Sequence, residues 1–316
     1  MTSPLSVILP CRDAAATLPE TIDSLRAQTF GDFTVAAVDD GSTDATGSIL
    51  ADWAAADPSV TVISRPPESV TIAANHAISA SRSLLVARMD ADDIAHPRRF
   101  EAQVEYLAGH PELAGCGTHV EMFSAGEVRS GYRRYEGWIN SIDSPDDVER
   151  AVTIESPIAN PSMMIKSSVL LALGGYRDVG WPEDYDLVFR VLAAGARLAN
   201  VPGPPLLLWR VSKGRLSLND PAYSPAAFRR CRVHFLREAF LPPERPVVVW
   251  GAGRVGKPLA RELIRQGIPV TGFVDLDPRK IGQEIHGAPV WSPAQFADRL
   301  TQHRPYVLAA VGSPGV

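Results

Sequence analysis

Three aspartates occupy four consecutive positions directly after an apolar run. They are Asp90, Asp92 and Asp93 in the stretch "VARMDADDIAHP". Carboxylates this close repel one another, so a cation is expected among them. Carboxylate oxygens suit Mg²⁺ or Mn²⁺, and such an ion usually completes its coordination shell with phosphate oxygens of a substrate. The cluster therefore favours a divalent cation and a phosphorylated ligand, although capping of the next helix would explain any one of the three residues.

A glycine-rich loop near the C-terminus offers a second candidate site. "GAGRVGKP" fits GxGxxG through Gly251, Gly253 and Gly256, and it nearly fits a P-loop. Pro258 excludes the P-loop, because that motif needs a hydroxyl there for magnesium. A strand before the loop, a helix after it and Asp275 at the end of the next strand favour a dinucleotide-type site. Since the chain stops shortly after the strand-like "YVLAAVG", we expect one mononucleotide-binding half, and a structural or interaction role stays open.

The elements that must position the aspartates alternate between strands and helices. In the first 90 residues, short apolar runs such as "LSVILP", "FTVAAV" and "SLLVARM" alternate with helical patterns. This alternation predicts a parallel sheet flanked by helices. Ligands of such sheets bind beyond the carboxyl ends of the strands. Three loops there hold the candidates, namely residues 10–13, 39–44 and 90–93.

The middle of the chain is predicted less directly. "GCGTHVEMF" and "VRSGYRRY" resemble strands around a turn, and "PDDVERAV" resembles a short helix. Glu183 and Asp184 then open a helix whose apolar residues recur at helical spacing. "LPPERP" reads as a linker. We therefore expect two domains, at 1–240 and 241–316, the second of them incomplete at its C-terminus.

The bulk composition is that of a globular protein. Of 316 residues, 45% are hydrophobic and 21% charged, and the net charge of −5 argues against a nucleic-acid partner. No apolar run approaches the ~18 residues of a membrane span, and the N-terminus lacks a secretion-signal pattern. The three cysteines show no zinc-like spacing. We expect a cytoplasmic protein that can make peripheral contact with the inner face of the membrane.

Four segments, in order over residues 6–217, resemble the family 2 glycosyltransferases of the GT-A fold. "VILPCRDAAATLPETIDSLRAQTF" is similar to their first strand and helix, and "VDDGSTDAT" to their nucleotide-binding loop. "ARMDADDIAHPRRFEAQ" resembles their DxD metal motif, and "GGYRDVGWPEDYDLVFR" their acceptor loop with its Glu-Asp motif. The C-terminal segment resembles the small Rossmann-like domains that bind nucleotide sugars in bacterial sugar acetyltransferases. The resemblance implies an α/β GT-A nucleotide-diphospho-sugar transferase fold plus a smaller, partial Rossmann-like α/β domain.

The resemblance also implies site residues and a cofactor. Asp92 is the expected ligand of Mn²⁺ or Mg²⁺, with Asp90 nearer the donor ribose or in the metal shell and Asp93 supporting. Asp39 is expected to bind the base, usually uracil, and Asp184 to be the catalytic base with Glu183 beside it. The nucleotide-binding residues are Pro10, Arg12, Asp39, Asp40, Asn75 and Asp90. For Asp40, an Asx turn into Gly41 and Ser42 is an equal alternative to ligand contact. The acids of the Glu-Asp motif also suit a helix first turn whatever the function.

Some positions depart from the family pattern. Arg12 and Asp13 replace the usual Tyr-Asn, and Ala74 replaces the arginine that often precedes the loop asparagine. Ser212 stands where many relatives carry a histidine. We therefore expect Arg210, Lys213 or Arg215 to meet the charge of the diphosphate.

These expectations describe a metal-dependent, inverting glycosyltransferase. A metal that bridges both phosphates stabilises the leaving diphosphate, and a carboxylate takes the proton of the acceptor hydroxyl. The donor would be a nucleotide-diphosphate sugar, expected to be UDP-linked, and the acceptor a glycan, a lipid-linked or another hydroxyl in bacterial surface or secreted glycan synthesis. The alternatives are an oxidoreductase or epimerase-like enzyme centred on the C-terminal glycines and a non-catalytic nucleotide-sugar sensor.

Overall fold

The computed structural model describes residues 3–212, 214–215, 219–242 and 244–310. Contacts divide the chain into two compact units, Met1–Tyr223 and Ser224–Val316. Among the described residues, none of the helices combines the length and the apolar character needed to cross a bilayer.

The first unit is built on a seven-stranded sheet. Its strands are β1 (Leu5–Cys11), β2 (Phe33–Asp40), β3 (Val60–Arg65), β4 (Leu85–Arg88), β6 (Leu113–Thr118), β8 (Met164–Lys166) and β9 (Arg197–Val201). Their order is β3-β2-β1-β4-β8-β6-β9. Strand β8 runs antiparallel to both neighbours, whereas the other pairs are parallel. A second sheet, β5-β10-β7, is formed by β5 (Ile94–Ala95), β7 (Val120–Phe123) and β10 (Leu207–Arg210). The predicted mainly parallel sheet is confirmed.

Helices cover this sheet. They are α1 (Leu18–Arg26), α2 (Thr46–Ala56), α3 (Val70–Ala80), α4 (Arg99–Gly109), α5 (Ser130–Ile139), α6 (Pro145–Ala151), α7 (Ser167–Ala172) and α8 (Glu183–Ala193). Every residue of β1 is buried, as expected for a parallel strand covered on both faces. The strand predicted at "VRSGYRRY" is wrong, because its second half lies in α5. The aromatic residues Tyr135 and Trp138 of that helix pack against the core at helical spacing.

The second unit is a smaller parallel α/β structure. It contains β11 (Val247–Trp250), β12 (Val270–Val274), β13 (Glu284–Ile285), β14 (Ala288–Trp291) and β15 (Tyr306–Ala309) in the order β13-β14-β12-β11-β15. Its helices are α9 (Pro225–Phe235), α10 (Gly256–Arg265) and α11 (Pro293–His303). Helix α9 contributes Val233 to the core of this unit, so the division falls before α9, whereas the sequence pattern placed it after residue 240.

Candidate active site

The predicted site residues of the first unit gather around the carboxyl ends of β1, β2 and β4. These three strands are parallel neighbours, so the loops that follow them emerge at one edge of the sheet. Arg12, after β1, lies 3.6 Å from Asp40 at the end of β2. The first turn of α8 lies close enough that the charge of Asp90 raises the pKa of Glu183. The structure therefore brings the nucleotide loop, the aspartate cluster and the Glu-Asp pair to one region.

The aspartate cluster carries negative charge that the protein leaves partly uncompensated. Asp93 is 1% exposed; its Oδ1 accepts a hydrogen bond from the backbone N–H of Arg210 at 2.7 Å. Its other oxygen, Oδ2, is buried without a partner among the described residues. Burial and the charges of Asp92 and Asp90 raise the pKa of Asp93 well above its usual range. Burial and Asp90 likewise raise the pKa of Asp92.

This donor set fits a hard divalent cation. A cation would favour the ionised carboxylates and would reverse the upward pKa shifts. Within the described parts of the chain, no group of three or more His, Cys, Asp or Glu side chains forms a ready metal cage. An ion held by one or two of these carboxylates would therefore need further ligands from water or from a bound phosphate.

A buried arginine joins the aspartate cluster to the Glu-Asp pair. Arg88, the last residue of β4, is 2% exposed and donates from Nε to Oδ1 of Asp90 at 2.8 Å. Its guanidinium lies over the ring of Tyr176, 5.6 Å from the ring centre. Burial raises the pKa of Glu183, and the positive charge of Arg88 offsets part of that rise. One of its terminal nitrogens, Nη1, is buried without a partner among the described residues.

The two acids at the start of α8 lie in different environments. Glu183 is 5% exposed, and its Oε2 accepts a hydrogen bond from the hydroxyl of Tyr223 at 2.5 Å. Asp184 is half-buried and accepts a hydrogen bond from the backbone N–H of Tyr185 at 2.7 Å. Desolvation and the charge of Glu183 raise the pKa of Asp184 to about 8. A carboxylate with so high a pKa is a stronger base than an ordinary aspartate.

The nucleotide loop is held by its own acids. Oδ1 of Asp39 accepts from the N–H of Ser42, three residues on, at 3.0 Å, so this carboxylate shapes its own loop. Asp40 is 3% exposed, accepts from the N–H of Glu68 at 2.8 Å and pairs with Arg12, so this carboxylate links two loops. Gly47 packs against Oδ2 of Asp39, because a Cβ at that glycine would lie 2.8 Å from the oxygen. Pro10 is buried in β1.

Asn75 faces the loop before α8. Its Nδ2 donates to the carbonyl of Tyr176 at 2.8 Å, and its Oδ1 accepts from the N–H of the same residue at 2.9 Å. Gly175 has φ +69°, and a Cβ there would lie 2.4 Å from Oδ1 of Asn75. The amide that the sequence assigned to the nucleotide therefore fixes the glycine turn before the Glu-Asp motif.

The basic residues after β10 differ in what they contact. The guanidinium of Arg210 pairs with Glu20, donates to the carbonyl of Asp92 at 2.6 Å and lies over Phe123. Arg215 lies over the ring of Trp209 at 4.6 Å, and its charge lowers the pKa of both Asp92 and Asp93. Lys213 lies outside the described residues.

The glycine loop of the second unit is closed onto Asp275. Oδ2 of Asp275 accepts from the N–H of Ala252 at 2.7 Å and from Nζ of Lys280 at 3.0 Å. Oδ1 of Asp275 accepts from the N–H of Asp277 at 2.9 Å. Despite the cost of desolvation, these hydrogen bonds lower the pKa of Asp275. Gly251 has φ +114°, and nothing lies within 4 Å of a Cβ added at Gly253. Both carboxylate oxygens that a ribose would need are thus already bound by the protein.

Sequence reasoning missed Arg88 and Tyr223. A single arginine inside the apolar run "LLVARM" was a usable signal, because buried charges in strands are almost always paired. No comparable signal exists for Tyr223, which lies in the short turn Pro221–Tyr223, 40 residues from Glu183.

Comparisons with known proteins give a family match in the first unit. A family model described as Glycosyl transferase family 2 matches residues 6–169. EpsE of Bacillus subtilis (strain 168), named as a glycosyltransferase, is 30% identical over 202 residues, which cover 62% of this chain and 69% of that protein. The amylovoran biosynthesis glycosyltransferase AmsE of Erwinia amylovora is 27% identical over 186 residues, covering 58% of this chain and 67% of that protein.

A solved structure has a similar fold. The crystal structure of S. aureus TarS 1-349 in complex with UDP-GlcNAc matches with a TM-score of 0.60 at 16% identity, covering 84% of this chain and 72% of that chain. This likeness supports the fold alone, and it confirms the predicted GT-A arrangement.

Proposed function

The chain belongs to glycosyl transferase family 2, and from that membership we propose that it is an inverting, metal-dependent enzyme that moves a sugar from a nucleotide-diphosphate donor to a hydroxyl acceptor. One observation carries the proposal. Arg88 contacts Asp90 of the aspartate cluster, and its charge acts on Glu183 of the Glu-Asp pair. A donor site and an acceptor site that share one buried arginine suit a transfer between two bound substrates.

The aspartate cluster is the proposed metal and diphosphate site. Asp92, with Asp90, would hold Mn²⁺ or Mg²⁺, which when bound supplies electrophilic stabilisation of the leaving diphosphate. The buried, unpartnered oxygen of Asp93 supports this assignment, since a nearby cation would compensate its charge. Arg215 adds a positive charge that acts on the same carboxylates.

Asp184 is the proposed general base. A base at one face of the sugar and a leaving group at the other imply a single displacement with inversion at the anomeric carbon. The raised pKa of Asp184 supports the role, because proton transfer from a hydroxyl is easier to a stronger base. Glu183 would orient the acceptor or the base.

The donor is proposed to be a UDP-sugar. Asp39 is half-buried, and its carboxylate can accept a hydrogen bond from an N–H of a base; uracil offers one. TarS, which shares the fold, was crystallised with UDP-GlcNAc. AmsE acts in amylovoran biosynthesis, and we propose a hydroxyl acceptor of the same broad class for this chain, in bacterial surface or secreted glycan synthesis in the cytoplasm or at the inner face of the membrane.

The second unit is proposed to be a partial Rossmann-like domain similar to the nucleotide-sugar-binding domain of bacterial sugar acetyltransferases. Its parallel sheet, glycine loop and helix α10 support that likeness. A ligand at Gly251, Gly253 and Gly256 would share the carboxylate of Asp275 with three protein donors.

The test is release of UDP from UDP-sugars in the presence of Mn²⁺ and a pool of glycan acceptors. We expect Asp184→Asn to lower kcat by at least about 100-fold, in line with the loss of a general base. Asp92→Asn should instead raise the concentration of metal needed. Asp32→Asn, at an exposed position outside the site, is the matched control and should leave both unchanged. Full activity of Asp184→Asn, or a turnover rate that EDTA does not lower, would refute the proposal.

A further inference from the structure

Tyr223 reaches the Glu-Asp pair from a part of the chain that no motif marks. It is the last residue of the turn Pro221–Tyr223, and its hydroxyl donates to Oε2 of Glu183 at 2.5 Å. Burial and the charges of Glu183 and Asp184 raise the pKa of Tyr223, so the phenol stays protonated. The hydroxyl is therefore a hydrogen-bond donor to Glu183 at every pH where the enzyme would work.

We infer that Tyr223 is a positioning residue of the transfer reaction, whose hydroxyl keeps Glu183 in its carboxylate form and thereby keeps an anion beside Asp184. The inference rests on the proposed role of Asp184 as the base. A hydrogen bond to the charged form of a carboxyl favours that form, and an anionic neighbour makes the next carboxyl hold its proton more tightly. Tyr223 would thus set the basicity of Asp184 through Glu183 without touching a substrate.

The other groups around the two acids differ in whether they favour the protonated or the ionised carboxyl. For Glu183, Arg88 favours the carboxylate, whereas burial and Asp90 oppose it. For Asp184, burial, Glu183 and Glu155 all favour the protonated form. The phenols of Tyr176, Tyr135 and Tyr223 also face the pair; each has a raised pKa and stays neutral. Tyr223 is thus the neutral group that binds Glu183 directly.

The sign of the effect follows from these contacts. Without the phenol hydroxyl, Glu183 loses a donor to its charged form, so the pKa of Glu183 rises further. Asp184 then has a neighbour that is charged less of the time, so the pKa of Asp184 falls. We expect the titration of Asp184 to move down by about one pH unit in Tyr223→Phe.

The experiment follows two readouts in the full-length protein. The first is the acid limb of the pH profile of kcat/KM with UDP-sugar, Mn²⁺ and acceptor. The second is the titration of Asp184 followed by carboxyl ¹³C NMR, which needs no turnover. Tyr223→Phe should shift both down by about one unit. Tyr176→Phe is the matched control, since it removes a buried hydroxyl that donates to Asn160 at 3.0 Å, and it should shift neither.

Glu183→Gln provides an independent variant if Tyr223→Phe is poorly folded. It should shift the titration of Asp184 down by itself, and adding Tyr223→Phe to it should cause no further shift. Unchanged titration of Asp184 in Tyr223→Phe, or an equal further shift in the Glu183→Gln background, overturns the inference. If the NMR shift occurs in a protein that transfers no sugar, the inference about the acid pair stands and the proposed function fails.

Discussion

Asp184 and Glu183 are adjacent in the chain, yet the fold gives them different tasks. Glu183 is buried, and burial raises its pKa, whereas the hydroxyl of Tyr223 and the charge of Arg88 favour its carboxylate form. Asp184 is half-buried, with the N–H of Tyr185 as a local donor. Separate environments for two neighbouring carboxyls are a common way to give them different proton affinities.

The raised pKa of Asp184 predicts how transfer depends on pH. A general base must be ionised, so kcat/KM should rise with pH and level off above the pKa of about 8. The midpoint belongs to the coupled pair rather than to one residue. Initial rates between about pH 6 and 9.5 at fixed free Mn²⁺ measure it. The residual rate of Asp184→Asn should not show this rise with pH. A wild-type profile that is flat over the same range would exclude Asp184 as the base.

Among the structural elements, the glycine turn before α8 is held by the most specific set of contacts. Gly174 and Gly175 both have positive φ, which L side chains rarely adopt. Arg190, in α8, donates to the carbonyl of Gly175 at 2.8 Å and pairs with Asp186 at 2.6 Å. Asn75 of α3 holds the next residue from the opposite side. Two helices therefore fix the loop that delivers the Glu-Asp pair.

Removing the Asn75 amide should loosen this loop. Asn75→Ala deletes two hydrogen bonds to the backbone of Tyr176 and should lower the free energy of unfolding by about 2–3 kcal/mol. Since the loop precedes the Glu-Asp pair, KM for the acceptor should rise more than KM for the donor. Urea unfolding and two-substrate kinetics measure both effects. Ile72→Ala, exposed on the same helix, is the control. A rise confined to donor KM would instead support the nucleotide role that the sequence suggested.

How far sequence predicts these elements depends on whether the deciding contacts are local. Strands β1, β2 and β4 are apolar runs that end in polar loops, so their positions and the edge they share follow from pattern alone. Residues 128–135 resemble a strand in isolation, whereas the helical spacing that decides their structure becomes visible only with Trp138 and Ile139 included. The motif acids are local in sequence as well. The link between Tyr223 and Glu183 joins distant residues, and no periodicity encodes it.

On the scale of the whole molecule, each unit has its own core and its own candidate site. The core of the second unit joins Val233, Val247, Leu263 and Phe273. Its loop geometry is set by close backbone approach, because a Cβ at Gly256 would lie 1.7 Å from the carbonyl oxygen of Gly251. The catalytic assignments, by contrast, all lie in the first unit. The two units can therefore be perturbed separately.

Gly256→Ala tests this separation. The added methyl meets backbone that cannot move aside, so we expect the second unit to lose about 3 kcal/mol of stability. Gly253→Ala is the matched control, because its Cβ would meet open space. Peptide-resolved hydrogen–deuterium exchange should show faster exchange of residues 247–309 in Gly256→Ala and no change in residues 5–210. If the first unit carries the reaction, kcat/KM for sugar transfer should stay within about twofold of wild type in both variants at temperatures where the first unit is folded. A tenfold or larger loss in Gly256→Ala alone, with exchange in the first unit unchanged, would show that the glycine loop takes part in the reaction, which would favour a ligand-binding role for it over a purely structural one.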